Sequence, residues 1–398
     1  MHEITDGARR EHLRWLLELT GVPTATGREH GVVAWVERWC AARAGVTLSS
    51  DAAGNLLLWK GEPGEPGSGP VLFTAHMDHP AFVVEAVLRD DEALGETVGE
   101  AALRLSFRGG VLDPYFKDGR ITVWARDGRR LRATLVDSGP QSPTTGFRDC
   151  VADLDGRIDA GAVAPGDIAT WDLPGPEVIE GLAHAPACDD LAGVAAALAA
   201  LDVLLGVETP APVGVLLTRA EEIGFVGAIA ACKQGTIPPD ARVLALETSR
   251  SYAESPIGGG PIVRVGDRSW TFSPALTGAV AKVCESMETA RKGGARPFRW
   301  QRRLMPGGTC EATCYGAYGL NATCLCLPLG NYHNMGSLDA VQAGDASIAK
   351  AAREVVSVAD FEGLVDALAG CGTGLADAEP LSARMERLYA ERSFVLRE

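Results

Sequence analysis

The sequence lacks the features of secreted, membrane-spanning and nucleic-acid-binding proteins. Residues 1–6 have neither the basic start nor the apolar core of a signal peptide, and no apolar run is long enough to cross a bilayer. Basic residues are in deficit, since 37 Lys+Arg stand against 52 Asp+Glu and give a net charge of -15. Nucleic acids and anionic membranes would repel such a chain. We therefore expect a cytoplasmic protein with neither as a partner.

Disulfide chemistry is also not expected. The ten cysteines are scattered along a long chain without an export signal, several of them inside apolar runs. The spacing of Cys310, Cys314, Cys324 and Cys326 allows a structural zinc site. Buried thiols on a strand are the favoured interpretation, because free cysteine behaves as a small apolar residue.

The 398 residues, 46% of them hydrophobic, can form two or three domains with a sizeable core. Apolar spacing predicts two helices between Gly7 and Ala44, a strand over residues 70–75, and a surface loop over the Gly/Pro-rich residues 61–69. After about residue 182, predicted helices and strands alternate. The helices are 191–205, 223–233, 275–290 and 347–359, and the strands are 213–218, 243–247 and 322–327.

Residues 80–181 differ from the rest of the chain. Short strand candidates alternate there with Gly, Asp and Pro, and no long helix interrupts them. This pattern predicts a small all-β, barrel-like domain inserted into a larger discontinuous domain made of residues 1–79 and 182–398. Alternating strands and helices in the latter predict a three-layer α/β/α fold with a mostly parallel sheet.

Polar residues stand where the predicted strands of the α/β part end. His76 and Asp78 follow the first strand, and Asp189 begins a helix; the others are Glu221, Glu222, Glu247 and His333. Sites in open α/β sheets gather at the carboxyl ends of the strands. Two histidines with several carboxylates suit Zn²⁺ first, with Co²⁺ or Mn²⁺ as alternatives.

Each of these residues also has a structural interpretation. Glu221 and Glu222 could be the acidic first turn of a helix, and Asp189-Asp190 could be a helix cap. Glu247 could pair with Arg219 or Arg250, and each histidine could be hydrogen-bonded in the core. Because all of these interpretations would have to hold together, and all at strand ends, we favour a metal site.

The order of the motifs resembles that of the dinuclear metallopeptidases, and most closely the glutamyl/deblocking aminopeptidases that form tetrahedral particles. The motifs are His76-Met-Asp78, Asp189-Asp190-Leu-Ala-Gly193, Glu221-Glu222-Ile-Gly224, Glu247-Thr248, Gly307-Gly-Thr309 and His333. The resemblance implies a peptide substrate, two divalent metal ions per chain, and homo-oligomers from dimer to dodecamer.

The resemblance also implies a role for each residue. Asp189 would bridge both metals, with His76 and Glu247 completing one set of ligands and Glu222 and His333 the other. Glu221 would be the general base. Asp78 would accept the second ring N–H of His76. The peptide bond between Asp189 and Asp190 would be cis. The glycine-rich loop would contact substrate through Gly308, Thr309, Cys310 and Glu311.

Two further interpretations stay open at this point. The unusual residues around Cys310 and His333 allow a deacylase of the same superfamily that cuts N-acyl or small amide substrates, and a non-catalytic scaffold is a third alternative. The basic stretch Arg291–Arg303 could supply an arginine, Arg302 or Arg303, that selects acidic substrates. A surface loop, an edge strand or a subunit contact is the favoured interpretation of that stretch.

Overall fold

The computed structural model describes residues 3–62, 69–88, 102–156, 161–375 and 381–397. Most of the loop predicted over residues 61–69 lies outside them. No helix in these ranges is long and apolar enough to span a membrane.

The chain begins with two helices and three strands: α1 (Asp6–Leu19), α2 (His30–Ala41), β1 (Val46–Ser50), β2 (Leu56–Lys60) and β3 (Val71–His76). Thr5 caps α1 by accepting a hydrogen bond from the Ala8 amide. Asp51 closes the turn between β1 and β2 by accepting from the amides of Ala53 and Asn55. The two predicted helices and the strand that ends at His76 are confirmed.

A closed antiparallel barrel follows: β4 (Ala81–Leu88), β5 (Ala102–Arg108), β6 (Arg120–Trp124), β7 (Arg130–Gln141), β8 (Phe147–Leu154) and β9 (Ile168–Trp171). The strand order is β4-β5-β8-β7-β6-β9. Its core includes Phe82, Phe107, Phe116 and Trp171, whose rings pack mostly edge to face. The predicted barrel-like fold is confirmed. The sequence did not predict β8, because its buried positions carry Arg148, Cys150 and Ala152 and form a weak apolar pattern.

The rest of the chain resumes the alternation. Its elements are β10 (Glu177–Ile179), β11 (Leu182–Ala185), α3 (Leu191–Leu205), β12 (Val213–Thr218), α4 (Val226–Gln234), β13 (Arg242–Arg250), β14 (Ile262–Gly266), α5 (Pro274–Ala290), β15 (Gln301–Leu304), α6 (Glu311–Ala317), β16 (Asn321–Leu329), β17 (Met335–Gly336), α7 (Leu338–Gln342), β18 (Lys350–Ala351), β19 (Glu354–Ser357), α8 (Val358–Gly374) and α9 (Leu381–Arg392).

Eight strands form the main sheet in the order β1-β2-β12-β3-β13-β16-β14-β15, and its four central strands are parallel. Residues of one strand alternate between two cores. Leu244 and Leu246 face a core shared with α1, α3, α5 and α8, whereas Val243 and Ala245 face a core shared with α4 and α6. The predicted three-layer α/β/α arrangement is therefore confirmed.

The predicted helix over residues 347–359 is wrong. Residues 354–357 form β19, which pairs with β11, and the helix α8 starts only at Val358. The adjacent β-branched residues Val355 and Val356 favour a strand. Ser357 then caps α8 by accepting from the Asp360 amide. This strand places Glu354 beside the residues that precede α3.

Candidate active site

The parallel strands bring the predicted polar residues to one edge of the sheet. Thr218, the last residue of β12, is in register with His76 at the end of β3. Glu247 lies in the carboxyl half of β13. The remaining residues lie on the connections that leave the strands: Asp189 before α3, Glu221 and Glu222 after β12, and His333 after β16. Six predicted residues line one cavity of about 600 Å³ and are buried or nearly so: His76, Asp189, Glu221, Glu222, Glu247 and His333. Asp78 is buried but does not line the cavity.

Asp189 stands between the two histidines. Its Oδ1 lies 3.4 Å from Nε2 of His76, and its Oδ2 lies 3.5 Å from Nε2 of His333. Glu247 Oε1 lies 3.9 Å from the same atom of His76, and Glu222 Oε2 lies 3.2 Å from that of His333. Each histidine is thus paired with its own glutamate, and Asp189 contacts both pairs through different oxygens.

Backbone carbonyls fix the tautomer of both histidines. Nδ1 of His76 lies 3.1 Å from the Asp78 carbonyl, and Nδ1 of His333 lies 2.6 Å from the Gly110 carbonyl of the barrel. Because a carbonyl only accepts, each Nδ1 carries a proton, and each Nε2 faces Asp189. Nδ1 of His76 is also 3.5 Å from Oδ1 of Asp78, so the carboxylate is the more distant acceptor.

The Asp78 carboxylate organises the turn that holds the two glutamates. It accepts from the amides of Glu221, at 2.9 Å, and Glu222, at 3.2 Å. Thr26 donates to its Oδ2 at 2.8 Å. Helix α4 begins only at Val226, so Glu221 and Glu222 do not form the first turn of a helix.

The structural interpretations of Asp190 and Glu247 also fail within the described residues. Asp190 precedes α3 but makes no side-chain cap hydrogen bond. Arg219 pairs with Glu29 and Arg250 pairs with Asp339, rather than with Glu247. The peptide bond between Asp189 and Asp190 is cis, as the resemblance implies.

Burial and mutual repulsion shift the pKa values of the site. Burial raises the pKa of Glu221 well above its usual range, and the charges of Glu247 and Glu222 raise it further. Burial and the charge of Asp189 raise the pKa of Glu247 to about 7. Burial opposes ionisation of Asp189 as well, but the adjacent imidazoles of His333 and His76 outweigh it and lower the pKa of that carboxyl. The cluster therefore needs positive charge to stay ionised.

The residues fit divalent metal ions. Oδ1 of Asp189 and Oε1 of Glu222 are buried and, within the described residues, have no hydrogen-bond partner. Buried carboxylate oxygens without donors are costly unless they coordinate a cation. Two potential ligand groups, His76–Asp189–Glu247 and Asp189–Glu222–His333, share Asp189, and the ligand atoms of each group lie within 4.8 Å of one another. A third group joins His76, Glu221 and Glu222.

The glycine-rich loop meets the cavity only in part. Gly308 and Thr309 line it. Cys310 and Glu311 are buried behind the wall, where Asp267 accepts from the Cys310 amide and Tyr315 donates to Glu311. The structure does not bring the last two residues into the cavity, because helix α6 starts at Glu311 and turns them inward.

The remaining predicted residues lie elsewhere. Within the described chain no potential metal-binding group includes a cysteine, and Cys324 and Cys326 are buried thiols on β16. The alternative prediction of a structural zinc site at these cysteines is therefore wrong. Arg302 and Arg303 are exposed on the edge strand β15 and do not line the cavity. The favoured edge-strand interpretation is confirmed.

Sequence reasoning missed the arginines that do line the cavity: Arg250, Arg264 and Arg268. It also missed His79 and Glu354, whose side chains bond to the backbone of Asp189 and its neighbours. The proximity of His79 to the His76-Met-Asp78 motif was a usable signal. Arg264 and Glu354 lie within ordinary strand sequences and carry none.

Comparison with known proteins places these features in context. A family model of M42 glutamyl aminopeptidases matches residues 54–345. An aminopeptidase of the archaeon Desulfurococcus kamchatkensis superposes with a TM-score of 0.70 at 22% identity, over 93% of this chain and 96% of that one.

Two further relatives share the fold. A TET aminopeptidase from a marine-sediment thaumarchaeon has a TM-score of 0.70 at 18% identity, over 92% of this chain and 96% of that one. The TET1 peptidase of Pyrococcus horikoshii, which can assemble into a tetrahedron or a large octahedral shell, has a TM-score of 0.69 at 21% identity, over 92% and 99%.

Proposed function

Because the chain belongs to the M42 glutamyl aminopeptidase family and is a peptidase, we propose that it removes N-terminal residues from peptides with the help of two divalent metal ions. The observation that carries the proposal is the position of Asp189, whose two oxygens face different histidines at 3.4 and 3.5 Å. His76 and Glu247 would hold one ion, Glu222 and His333 the other, and Asp189 both. We propose Zn²⁺ as the native metal, with Co²⁺ or Mn²⁺ as alternatives.

Metal ions held there would polarise the scissile carbonyl and lower the pKa of a water. Glu221 is the general base in this proposal. It lines the cavity, and its raised pKa suits a group that takes a proton from the attacking water and then delivers it to the leaving amine nitrogen. Asp78 holds the Glu221 amide and so orients the side chain without facing the cavity.

Arginine in the wall of the same cavity favours an anionic group on the substrate. Arg264 is 2% exposed, and its Nη2 donates to the Cys326 thiol at 3.2 Å. Its charge interacts with that of Glu247 at longer range, but within the described chain no carboxylate lies within 4.0 Å of its guanidinium as a direct partner. We propose that peptides with an acidic N-terminal side chain supply one.

Two structural proposals complete the assignment. The barrel strands lie between residues 81 and 171, which supports the division into residues 80–181 and residues 1–79 with 182–398. The shells formed by the Pyrococcus peptidase support a homo-oligomer for this chain as well.

The test is a substrate panel after loading with Zn²⁺, Co²⁺ or Mn²⁺. We expect hydrolysis of aminoacyl-anilides but not of N-acyl amino acids, about two metal ions per chain, and a Glu221→Gln variant that keeps both ions but loses roughly 10²–10⁴-fold in turnover. Glu285→Gln, at an exposed position on α5, is the matched control and keeps full activity. Wild-type turnover in Glu221→Gln would remove Glu221 as the base, and cleavage of N-acyl amino acids alone would favour a deacylase.

A further inference from the structure

Glu354 is a fully buried carboxylate that contacts two distant segments of the active site. Its Oε2 accepts from the amides of Cys188, at 2.7 Å, and Asp189, at 2.9 Å. Its Oε1 accepts from the amide of His333 at 2.8 Å. The residue does not line the cavity. One side chain thus binds the backbone of Asp189 and that of His333.

The His333 segment needs such support because its backbone is unfavourable for non-glycine residues. Asn331, His333 and Asn334 have φ angles of 54°, 53° and 61°, which lie in the left-handed region. Their conformation persists only where surrounding bonds fix it. The Glu354 carboxylate provides one of these bonds directly to the His333 amide.

Side-chain amides provide the others. Asn331 donates to the Arg353 carbonyl at 2.8 Å, next to Glu354 in the sequence. Asn334 donates to the carbonyls of Pro186, at 2.8 Å, and Ala352, at 3.1 Å. The His333 turn is therefore bound on one side to the strand that carries Glu354 and on the other to the segment that leads to Asp189.

A second link runs through His79. Its Nδ1 lies 2.6 Å from the Asp189 carbonyl, and its Nε2 lies 3.0 Å from Oδ1 of Asn334. Glu354 and the His79–Asn334 pair thus connect the same two segments along separate routes. No comparable link joins Glu354 to Glu247 among the described residues, since Glu247 is positioned by its own strand.

We propose that Glu354 is a positioning residue that fixes the separation of Asp189 and His333, and thereby the affinity of the metal position that these two residues share with Glu222. The inference rests on the dinuclear site proposed above. It predicts an asymmetric defect: loss of Glu354 weakens one metal position much more than the other.

The test is Glu354→Gln, with the two metal dissociation constants measured by chelator competition. A glutamine side chain has one acceptor oxygen, so it turns an NH₂ group toward either the His333 amide or the Cys188 and Asp189 amides. We expect one of the two metal dissociation constants to rise about 10–100-fold and the other to change much less. We also expect a lower kcat at saturating metal with KM unchanged, because the residue does not contact substrate.

Asp360→Asn is the matched control. Asp360 is also a buried carboxylate, and like Glu354 it does not line the cavity. It accepts from two backbone amides, those of Gly258 at 2.7 Å and Gly260 at 2.8 Å, and neither glycine lines the cavity. We expect this variant to melt at a lower temperature with both metal affinities unchanged. Equal losses of metal affinity in Asp360→Asn and Glu354→Gln would show a general stability effect and overturn the inference.

If Glu354→Gln does not fold, Asn334→Ala serves as the second variant. It leaves Glu354 in place and removes the bonds of the Asn334 side chain to Pro186, Ala352 and His79, which join the same two segments. The same asymmetric loss is expected, and unchanged affinities would contradict it. A wild-type protein that binds no metal would instead refute the proposed function. A wild-type enzyme with two ions and an unaffected Glu354→Gln variant would refute only the role of Glu354.

Discussion

Two groups of residues in the wall of the active-site cavity are built in different ways. The acidic cluster consists of carboxylates and histidines at strand ends or on the loops that follow. Backbone amides of this cluster donate to the Asp78 and Glu354 carboxylates, and His333 donates to the Gly110 carbonyl. Arg264, by contrast, projects from within β14 and contacts a thiol. In the proposed function the acidic cluster, held by these bonds, determines the chemistry, whereas Arg264 carries a charge that a substrate completes and so determines the choice of substrate.

The largest effect is expected for Asp189, which both proposed metal positions share. Asp189→Asn removes the carboxylate charge and replaces one of the two oxygens that face the two proposed metal positions, so we expect metal content to fall from about two toward zero. Loss of several kcal/mol of Lewis-acid stabilisation corresponds to roughly 10³-fold or more in kcat/KM. Metal analysis and kinetics of the purified variant measure both.

Asp190→Asn is the control for that change. Asp190 is adjacent and buried, does not line the cavity, and burial raises the pKa of its carboxyl well above the usual range. An amide resembles the protonated acid in shape, so metal content is expected to stay near two. Complete loss of metal in Asp190→Asn as well would show that the chain around the helix start, rather than the Asp189 carboxylate, holds the ions.

An intermediate effect is expected for Arg264. Arg264→Met removes the charge and keeps much of the apolar volume. A hydrogen bond to a charged group contributes about 1.5–3 kcal/mol, so kcat/KM for a glutamyl-anilide should fall by roughly 10–100-fold relative to a leucyl-anilide. Arg302→Met on the exposed edge strand is the control and should leave this ratio unchanged. If the ratio of the two kcat/KM values is the same in Arg264→Met and in the wild type, Arg264 does not select the substrate.

The smallest effect concerns the pH dependence of the metal-free protein. The pKa of Glu247 is raised to about 7 and that of Glu221 is raised too, mainly by burial. A raised carboxyl pKa means that the folded chain keeps a proton that the unfolded chain releases near pH 4.5, so its stabilising effect is lost as the pH rises through 7. We expect the melting temperature without metal to drop by a few degrees between pH 5.5 and 8, as measured by calorimetry.

Zinc should abolish that drop, because a bound cation favours the ionised carboxylates. Glu247→Gln should reduce the drop without metal, since it removes one of the titrating groups. If the melting temperature of the metal-free protein instead rises over this pH range, the acidic cluster does not bind the extra protons that these raised pKa values predict.

The same contrast explains what the sequence could predict. His76, Glu247 and the Glu221-Glu222 pair were predictable because apolar strand patterns end at or run into them, and parallel strands align their ends. Cys310 and Glu311 were misplaced because the loop pattern does not reveal that α6 begins at Glu311. Residues 354–357 were wrongly assigned to a helix. Their conformation is decided by pairing with β11, a contact across more than 160 residues that the local sequence does not reveal.

Arg264 and Glu354 show the limit most clearly. Each is a charged residue within a short strand, where a sequence pattern predicts an exposed side chain. Both are buried because the tertiary fold brings partners from elsewhere: the thiol of Cys326 for Arg264, and the amides of Cys188, Asp189 and His333 for Glu354. Such partners cannot be inferred from the local sequence.

The bond from His333 to the Gly110 carbonyl has a consequence for how the molecule is assembled. The segment that follows β5 of the barrel supplies the acceptor for one ring N–H of a histidine on the connection after β16. A chain without the barrel would lose that acceptor, and the His333 imidazole would lose a bond that orients it. The geometry of the metal position proposed at His333 therefore depends on a contact between the barrel and the rest of the chain.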